Sequence, residues 1–592
     1  MNTASFVAID WFIIVAYLVF ALGVGFYFRK RASKNLSEFL LGGRSLPWYL
    51  AGMSMVATTF AADTPLWVTE KVAQHGISGN WLWWNMLIGG MLTTFFFAKN
   101  WRKAGVLTEL EFLELRYGGK AAQWLRGIRS VYLGVFLNVI IIGWVNKAMI
   151  IILSVFFDIP TNQAFWLVML LMAFVAVYSS LSGLLGIAIT DSVQFVIAMT
   201  GSIALAYWVL HDPRIGGLSG LKEQLPEWRF HFFPEINSVG AGIGTFSITI
   251  SAFLSYFVIQ WWASWYPGNE PGGGGYISQR MMSAKTEKDA VFASLFFQIA
   301  HHALRPWPWI IVALASLVLY PHLAVDQAAN GYVQVMRDIL PAGWKGLLFI
   351  AFLSAYMSTI STQLNWGAGY LANDLYGRFM LKMKESDLRD KLLVRASKMG
   401  TVLLMLLAIP VTASIGTIDS AAQFLIGCGA GLGLVLILRW YWWRINAWSE
   451  IAATLIPILG MIIGKFYFEP AYGEPWILAN GTFYFTVGVT TIGWLLVTFL
   501  TPPENTSVLL AFYKRVEPKG RWKAMGEGAK NSFDLKLLEA WLYAVVFTYG
   551  CLFFMGYVLF GETQQWALTL AICLLSGGLL WRGFVKGRYD GL

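Results

Sequence analysis

Met53-Ser-Met-Val-Ala-Thr-Thr-Phe-Ala-Ala-Asp-Thr-Pro65 lies inside a segment, residues 48–71, that is otherwise apolar enough to cross a bilayer. Two adjacent threonines, an aspartate and a proline interrupt it. Pro65 has no amide hydrogen for the helix ladder and disfavours helix at Thr64. The stretch therefore predicts a helix broken at membrane depth. Irregular backbone survives there only where it is buried in protein or lines a wet cavity. A second segment, near 241–265, is irregular too: Gln260-Trp-Trp-Ala-Ser-Trp-Tyr-Pro-Gly268, then Asn269-Glu-Pro-Gly-Gly-Gly-Gly275. Broken helices at corresponding places in two halves of a chain point to a transport site. A pair of ordinary proline kinks is the alternative.

The rest of the chain supplies the membrane. It has 592 residues, 57% of them hydrophobic, 16% aromatic and 13% charged. A soluble protein is roughly 45–50% apolar and about 25% charged. This chain has too little polar surface for a water-soluble globule, and too many aromatics for disorder. A crossing helix needs about 20 apolar residues. That ruler gives about 15 transmembrane helices, near 9–28, 48–71, 78–98, 124–157, 162–182, 187–210, 241–265, 288–322, 344–372, 396–415, 419–444, 449–467, 477–500, 538–560 and 564–582. These are numbered here as spans one to fifteen. The runs are too long and continuous for barrel strands. The fold class expected is an all-α polytopic membrane protein.

Lys and Arg collect after the odd-numbered spans, as at Arg29-Lys30-Arg31, Lys99 to Lys103, Arg280 and Lys285, Arg378 to Arg395, Lys514 to Lys523, and Arg582 to Arg588. Basic loops stay in the cytoplasm. The expectation is an outside N-terminus and a cytoplasmic C-terminus. The net charge of +10 is thus spent on topology, and no nucleic-acid partner is expected. Cys428, Cys551 and Cys573 lie apart in apolar runs, which argues against a disulfide framework or zinc site. Met1 to Asp10 carries no basic n-region, so no signal peptide is expected. The stretches 211–240 and 501–537 are too short for soluble domains.

Span nine contains Ala355-Tyr-Met-Ser-Thr-Ile-Ser-Thr-Gln363. Ser358, Thr359, Ser361 and Thr362 crowd into two turns, and Ala355, Ser358, Thr359 and Thr362 share one face. Sodium is a hard ion that prefers oxygen ligands, so hydroxyls plus the free carbonyls of a broken helix suit it. A packing seam of small and hydroxylated residues is the rival. Asp63, Lys147, Asp191 and Arg305 are the charges left at membrane depth, where ionisable groups default to function. Asp63 and Arg305 are either substrate contacts or each other's counter-ions. Gly272 to Gly275 lacks the Gly-Lys-Ser/Thr of a phosphate loop and reads as a flexible cytoplasmic hinge. His301 and His302 are adjacent and face different ways, which suits core or cavity histidines better than haem ligands. Gly427, Gly429, Gly431 and Gly433 predict close helix approach.

These residues resemble the sodium:solute symporter family, which includes bacterial sodium/proline and sodium/galactose symporters. Gly43-Arg-Ser-Leu-Pro-Trp48, Ser54-Met-Val-Ala-Thr-Thr-Phe60, Thr190-Asp-Ser-Val-Gln194 and Met357-Ser-Thr-Ile-Ser-Thr-Gln363 with Asn373-Asp-Leu-Tyr376 carry the resemblance, in order, over roughly residues 10–445. It implies a LeuT-type inverted five-plus-five helix repeat with extra flanking helices. The divisions would be 1–47 (first helix and cytoplasmic loop), 48–210 (first repeat), 241–445 (second repeat) and 446–592 (additional helices). It also implies Na+ at a main site on the carbonyls of Ala57, Phe60 and Ala355 and the hydroxyls of Ser358 and Thr359. In members with a second sodium, the matching residues are Asp191, Ser361 and Thr362. Substrate-binding candidates are Asp63, Thr64, Asn146, Lys147, Trp261, Trp262 and Arg305, the last near where sugar carriers have a lysine. The stretch Pro267 to Gly275 departs from the family, and the last two spans exceed the thirteen-helix pattern.

The expected protein is not an enzyme. It is a sodium-coupled secondary active symporter that imports a small organic solute, a sugar, amino acid or carboxylate, by alternating access across a lipid bilayer, the bacterial inner membrane. The alternatives are a membrane redox or enzyme subunit, a solute sensor on a transporter-like bundle, and a passive channel.

Overall fold

A computed structural model describes residues 6–237, 247–266, 268–324, 327–384, 386–525, 531 and 534–589, with the side chains of 237, 247, 248, 419 and 420 left aside. Pro267 and the first residues of the expected second repeat, 241–246, lie outside these. Among the described residues ten helices are long and apolar enough to cross a membrane. One of them, Thr161–Leu210, bends at Gly183, where φ is 57° and ψ is −169°. A Cβ there would sit 2.9 Å from the Phe39 carbonyl, so only glycine allows the turn. The bend separates spans five and six.

The other expected crossings are assembled from shorter pieces. Span two is Trp48–Thr59 followed by Asp63–His75. Span three is Trp81–Trp84 and Leu87–Phe96. Span seven is Ile250–Ala263 and then Gly275–Ser283. Span eleven is Ile418–Gly429 and Leu432–Tyr441, parted at Gly431 with φ 90°. Each of the fifteen expected spans contains helix among the described residues, although in span seven the helix begins only at Ile250, after the strand Ser247–Thr249. The only β-strands among the described residues are a short parallel pair, Glu235–Asn237 with Ser247–Thr249.

Layering follows burial. The apolar window of span nine is 94% buried, against 22% for span one and 28% for span fifteen. Span nine is therefore the axis, wrapped by spans four, five, six and ten, while the flanking helices keep their apolar faces outward for lipid. Span fourteen, Leu535–Leu559, clamps spans three and eight. Trp541 Nε1 donates to the Ile88 carbonyl at 3.0 Å, Tyr549 Oη to Trp84 at 2.8 Å, and Trp307 Nε1 to the Leu552 carbonyl at 2.9 Å.

One expectation is corrected here. Gly272 to Gly275 is not a cytoplasmic hinge. It is a buried link inside span seven, and every residue of the half-helix Gly275–Ser283 that follows is buried. Arg280, which the basic-loop pattern places in a cytoplasmic loop, lies in that half-helix at 0% exposure. The half-helix is too short and too polar for a hydropathy ruler to find.

Candidate functional site

The break of span two is three residues wide. Thr59 ends the first half-helix by turning its hydroxyl back to the Met55 and Val56 carbonyls at 3.1 and 3.0 Å. Phe60 then leaves the helix with φ −89° and ψ 68°. Span nine closes on this point. Thr359 Oγ1 donates to the Thr58 carbonyl at 3.0 Å and to Ala355 at 3.1 Å, and Thr58 Oγ1 lies 3.2 Å from Thr362 Oγ1. Ala57, Phe60, Ala355, Ser358 and Thr359 are all buried on these two elements. Their donors are carbonyls and hydroxyls only, which fits a small hard monovalent cation.

Arg305 lies behind the break, not in the cavity. Its guanidinium donates to the Val56 carbonyl at 3.1 Å and to Thr59 Oγ1 at 3.2 Å, and also to His301 Nδ1. It packs over the rings of Phe60 and Trp309. A cation at the carbonyl end of a half-helix meets the negative end of its dipole. No ion pair joins Arg305 to Asp63 within 4.0 Å among the described residues.

Asp191 of span six is gripped from two sides. Ser358 Oγ donates to its Oδ1 and Ser54 Oγ to its Oδ2, each at 2.6 Å. The third side holds Arg280, whose Nη2 lies 3.7 Å from Asp191 Oδ2 and donates to Thr362 Oγ1 at 2.7 Å, while its Nε donates to Ser54 Oγ at 3.2 Å. Gln279 Oε1 accepts from Nη1 at 2.9 Å. Ser361 turns back to the Ser358 carbonyl at 3.0 Å. Two of the three residues matched to a second sodium, Asp191 and Thr362, thus flank a guanidinium. The sequence reading missed Arg280 at this position, although Gln279-Arg280 beside a glycine run was the available signal.

A cavity of about 90 Å³ adjoins the break. It is lined by Thr58, Thr59, Ala61, Asp63, Thr64 and Trp67 of span two, Trp83 and Met86, Ile141 and Trp144, Tyr266, Asn269 and Tyr276 of span seven, His301, Thr359 and Gln363, and Ile418 and Ala422. Three acceptor atoms buried in its wall have no partner: Asp63 Oδ1, Asn269 Oδ1 and Gln363 Oε1. Five rings supply its apolar surface: Trp67, Trp83, Trp144, Tyr266 and Tyr276.

Of the substrate candidates, only Asp63 and Thr64 line this cavity. Asn146 is spent on structure: Tyr356 Oη donates to its Oδ1 at 2.7 Å and its Nδ2 donates to Thr412 Oγ1 at 2.9 Å, tying spans four, nine and ten. Lys147 is half-buried and outside the cavity wall. Trp261 packs toward Trp541 of span fourteen, and Trp262 packs with Phe483 and Val487 of span thirteen. Neither ring lines the cavity, to which this region contributes Tyr266, Asn269 and Tyr276 instead. His301, read as a core or cavity histidine, does line the cavity. Asn269, Gln363, Trp83, Trp144 and Tyr276 were not anticipated as lining residues; they come from four different spans, and no local pattern joins them.

On the side of the basic loops, ion pairs join the ends of the central helices. Arg126 pairs with Asp374 at 2.7 Å and with Glu114, and Arg129 and Arg439 both reach Glu450, at 3.2 and 3.4 Å. Thr108 Oγ1 donates to Asp374 at 2.9 Å and Tyr117 Oη to Glu450 at 2.5 Å.

Comparison with known proteins agrees with this architecture. The chain is 18% identical to a Na+-coupled sialic acid symporter solved in a substrate-bound outward-open state, with a TM-score of 0.64 over 85% of this chain and 100% of that one. This likeness gives the fold, a LeuT-type helix bundle. Among curated proteins it is 23% identical to sodium/glucose cotransporter 4 of Danio rerio, covering 90% of this chain and 85% of the relative. It is 22% identical to the sodium/glucose cotransporter of Vibrio parahaemolyticus, covering 77% and 85%. The sequence model of the sodium:solute symporter family matches residues 39–457, and the chain, an integral multi-pass membrane protein, belongs to that family.

Proposed function

We propose that this symporter binds its coupling sodium on Ala57, Phe60, Ala355, Ser358 and Thr359, and carries a small polyhydroxylated solute in the adjoining cavity. The observation that carries the solute reading is the set of unpartnered acceptors, Asp63 Oδ1, Asn269 Oδ1 and Gln363 Oε1, set among aromatic rings. Buried acceptors left without donors are expensive, so the missing donors belong to the cargo. Hydroxyl groups supply them, and the apolar faces of a sugar or polyol suit the rings. A free carboxylate is matched poorly. The N-terminal turn of Asp63–His75, where an anion would dock, already carries Asp63. The Nη atoms of Arg305 are directed at Val56, Thr59 and His301. The names of relatives, sodium/glucose and sodium/myo-inositol cotransporters, support the same class.

Sodium at the break would draw span nine against span two and thereby complete the cavity wall at Thr58, Thr59 and Thr359. Ion and solute then stabilise the same arrangement, which is the thermodynamic content of coupling. The Arg280 guanidinium among Asp191, Ser54 and Thr362 serves as a built-in cation, so one sodium accompanies each solute. The basic-loop side is assigned to the cytoplasm of a bacterial inner membrane, with the N-terminus outside. The ion pairs of Arg126, Arg129 and Arg439 form the inner gate. The inverted repeats are assigned to 48–210 and 241–445.

Thermal-shift measurements with sugars, polyols, amino acids and carboxylates, in sodium and in choline, test this reading. Sugars or polyols should stabilise the protein in sodium only. Stabilisation by carboxylates alone, or equal stabilisation in choline, would overturn it.

A further inference from the structure

Two carboxyl groups meet at the glycine run of span seven. Glu109 comes from the connector between spans three and four, and Glu270 from the break itself; they are 4% and 3% exposed. The Gly275 amide donates to Glu109 Oε2. A Cβ on Gly274 would lie 3.1 Å from Glu109 Oε2 and 3.2 Å from Glu270 Cβ, and one on Gly275 would strike Glu270 Oε1. The two side chains therefore share the space that glycine leaves open.

Neither carboxylate has an ion-pair partner within 4.0 Å among the described residues, and Glu270 Oε1 has no hydrogen-bond partner at all. The basic groups whose field reaches Glu109 are Arg129 and Arg439, and both already serve Glu450, at 3.2 and 3.4 Å. Arg116 beyond them faces the carbonyls of Arg439, Trp442 and Trp443. From span nine the buried Tyr370 hydroxyl faces Glu109 and shares a small cavity with Glu109, Gly275 and Gln279. From span seven itself Tyr276 faces Glu270. From span three and the helix Ala98–Ala104 after it, two uncharged donors arrive: Thr93 Oγ1 to the Glu270 carbonyl at 3.3 Å and Trp101 Nε1 to the Gly272 carbonyl at 2.9 Å.

Two buried carboxylates side by side cannot both stay ionised without a cation between them. We propose that Glu109 and Glu270 are a proton-binding site: one proton shared by the pair holds the 105–118 connector against the break of span seven, and its loss to cytoplasmic water releases that connector. The proton enters and leaves without any bond change elsewhere. The site is separate from the sodium and solute sites and does not depend on their assignment. Deprotonation leaves two like charges in the closed arrangement, so raising pH favours opening on this side.

Amide hydrogen exchange on the full-length protein in nanodiscs tests the proposal without a known solute. After correction for intrinsic exchange chemistry, peptides covering 105–118 and 268–283 should exchange about tenfold more slowly at pH 6 than at pH 8. E270Q and E109Q each mimic the neutral acid and should keep the slow rate at pH 8. If either variant misfolds, the other and the wild-type profile still decide. No pH dependence in the wild type, or an unchanged dependence in a folded variant, overturns the proposal. So does protection at pH 8 that follows added sodium, potassium or calcium, which would make the ligand a metal cation.

Discussion

The two broken helices solve one problem at different scales. Span two skips only residues 60–62, and its free carbonyls stay within one turn of each other, met by hydroxyls of span nine. Span seven leaves the helix from Ser264 to Gly274, and so much backbone needs outside partners. Part of the demand is met by the break of span eleven: Trp265 N donates to the Gly429 carbonyl at 3.2 Å and Gly431 N to Ala263 at 3.0 Å. Thr93 of span three and Trp101 just after it meet another part. An unsatisfied backbone group in a bilayer costs several kcal/mol, so a long break is tolerated only inside such a sleeve. The short break concentrates oxygens for a small ion. The long break makes room for side chains, and it is filled by charge: Arg280 on one side and Glu109 with Glu270 on the other.

Removing charge from the long break should have the largest effect. Arg280→Met leaves Asp191 without a charged partner, and breaking a buried pair costs about 3–5 kcal/mol. Thermal denaturation should show it as a strong loss of stability. In whatever fraction stays folded, uptake should rise more steeply with sodium, because the Asp191 site becomes free; an unchanged steepness would count against Arg280 as a built-in cation. Ser358→Ala combined with Thr359→Ala acts on the short break. It should raise the sodium concentration for half-maximal uptake by about tenfold, corresponding to about 1.4 kcal/mol. If that concentration stays put, the ion is elsewhere.

Gly275→Ala and Gly217→Ala separate conformation from packing. Both glycines have positive φ, 55° and 75°, so both substitutions carry about 1–2 kcal/mol of backbone strain. Gly217 faces open space, whereas Gly275 abuts Glu270 Oε1. Gly275→Ala should be the more destabilising in a thermal scan, and equal losses would mean that the break is not tightly filled. The smallest effect belongs to Asp63→Asn, which keeps the shape of the cavity wall and weakens one acceptor. Solute KM should rise by about fivefold, near 1 kcal/mol, with the sodium dependence unchanged. A shift in sodium affinity instead would place Asp63 with the ion.

Much of the fold was legible because apolar length is a property of the chain alone. Pro65 and the hydroxyls of 358–362 also announced the short break and its partner. The second half of span seven was not legible, since Gly275–Ser283 is short, polar and basic, and looks like a loop until neighbours are seen to cover it. Gly429, Gly431 and Gly433 were read as allowing close approach. The neighbours they admit are named only by packing: Trp265, Thr490 and Trp262.

By itself the sequence determined a polytopic helical membrane protein, the interruptions of spans two and seven and the hydroxyl cluster opposite the first of them. These follow from hydropathy and backbone chemistry, which add up along the chain. Only the tertiary structure decided that Arg305 caps a half-helix, that Arg280 stands beside Asp191, that Trp261 and Trp262 do not line the cavity, and that Glu109 meets Glu270. Each depends on the rotation and docking of one helix against another, and so on contacts between residues far apart in the chain.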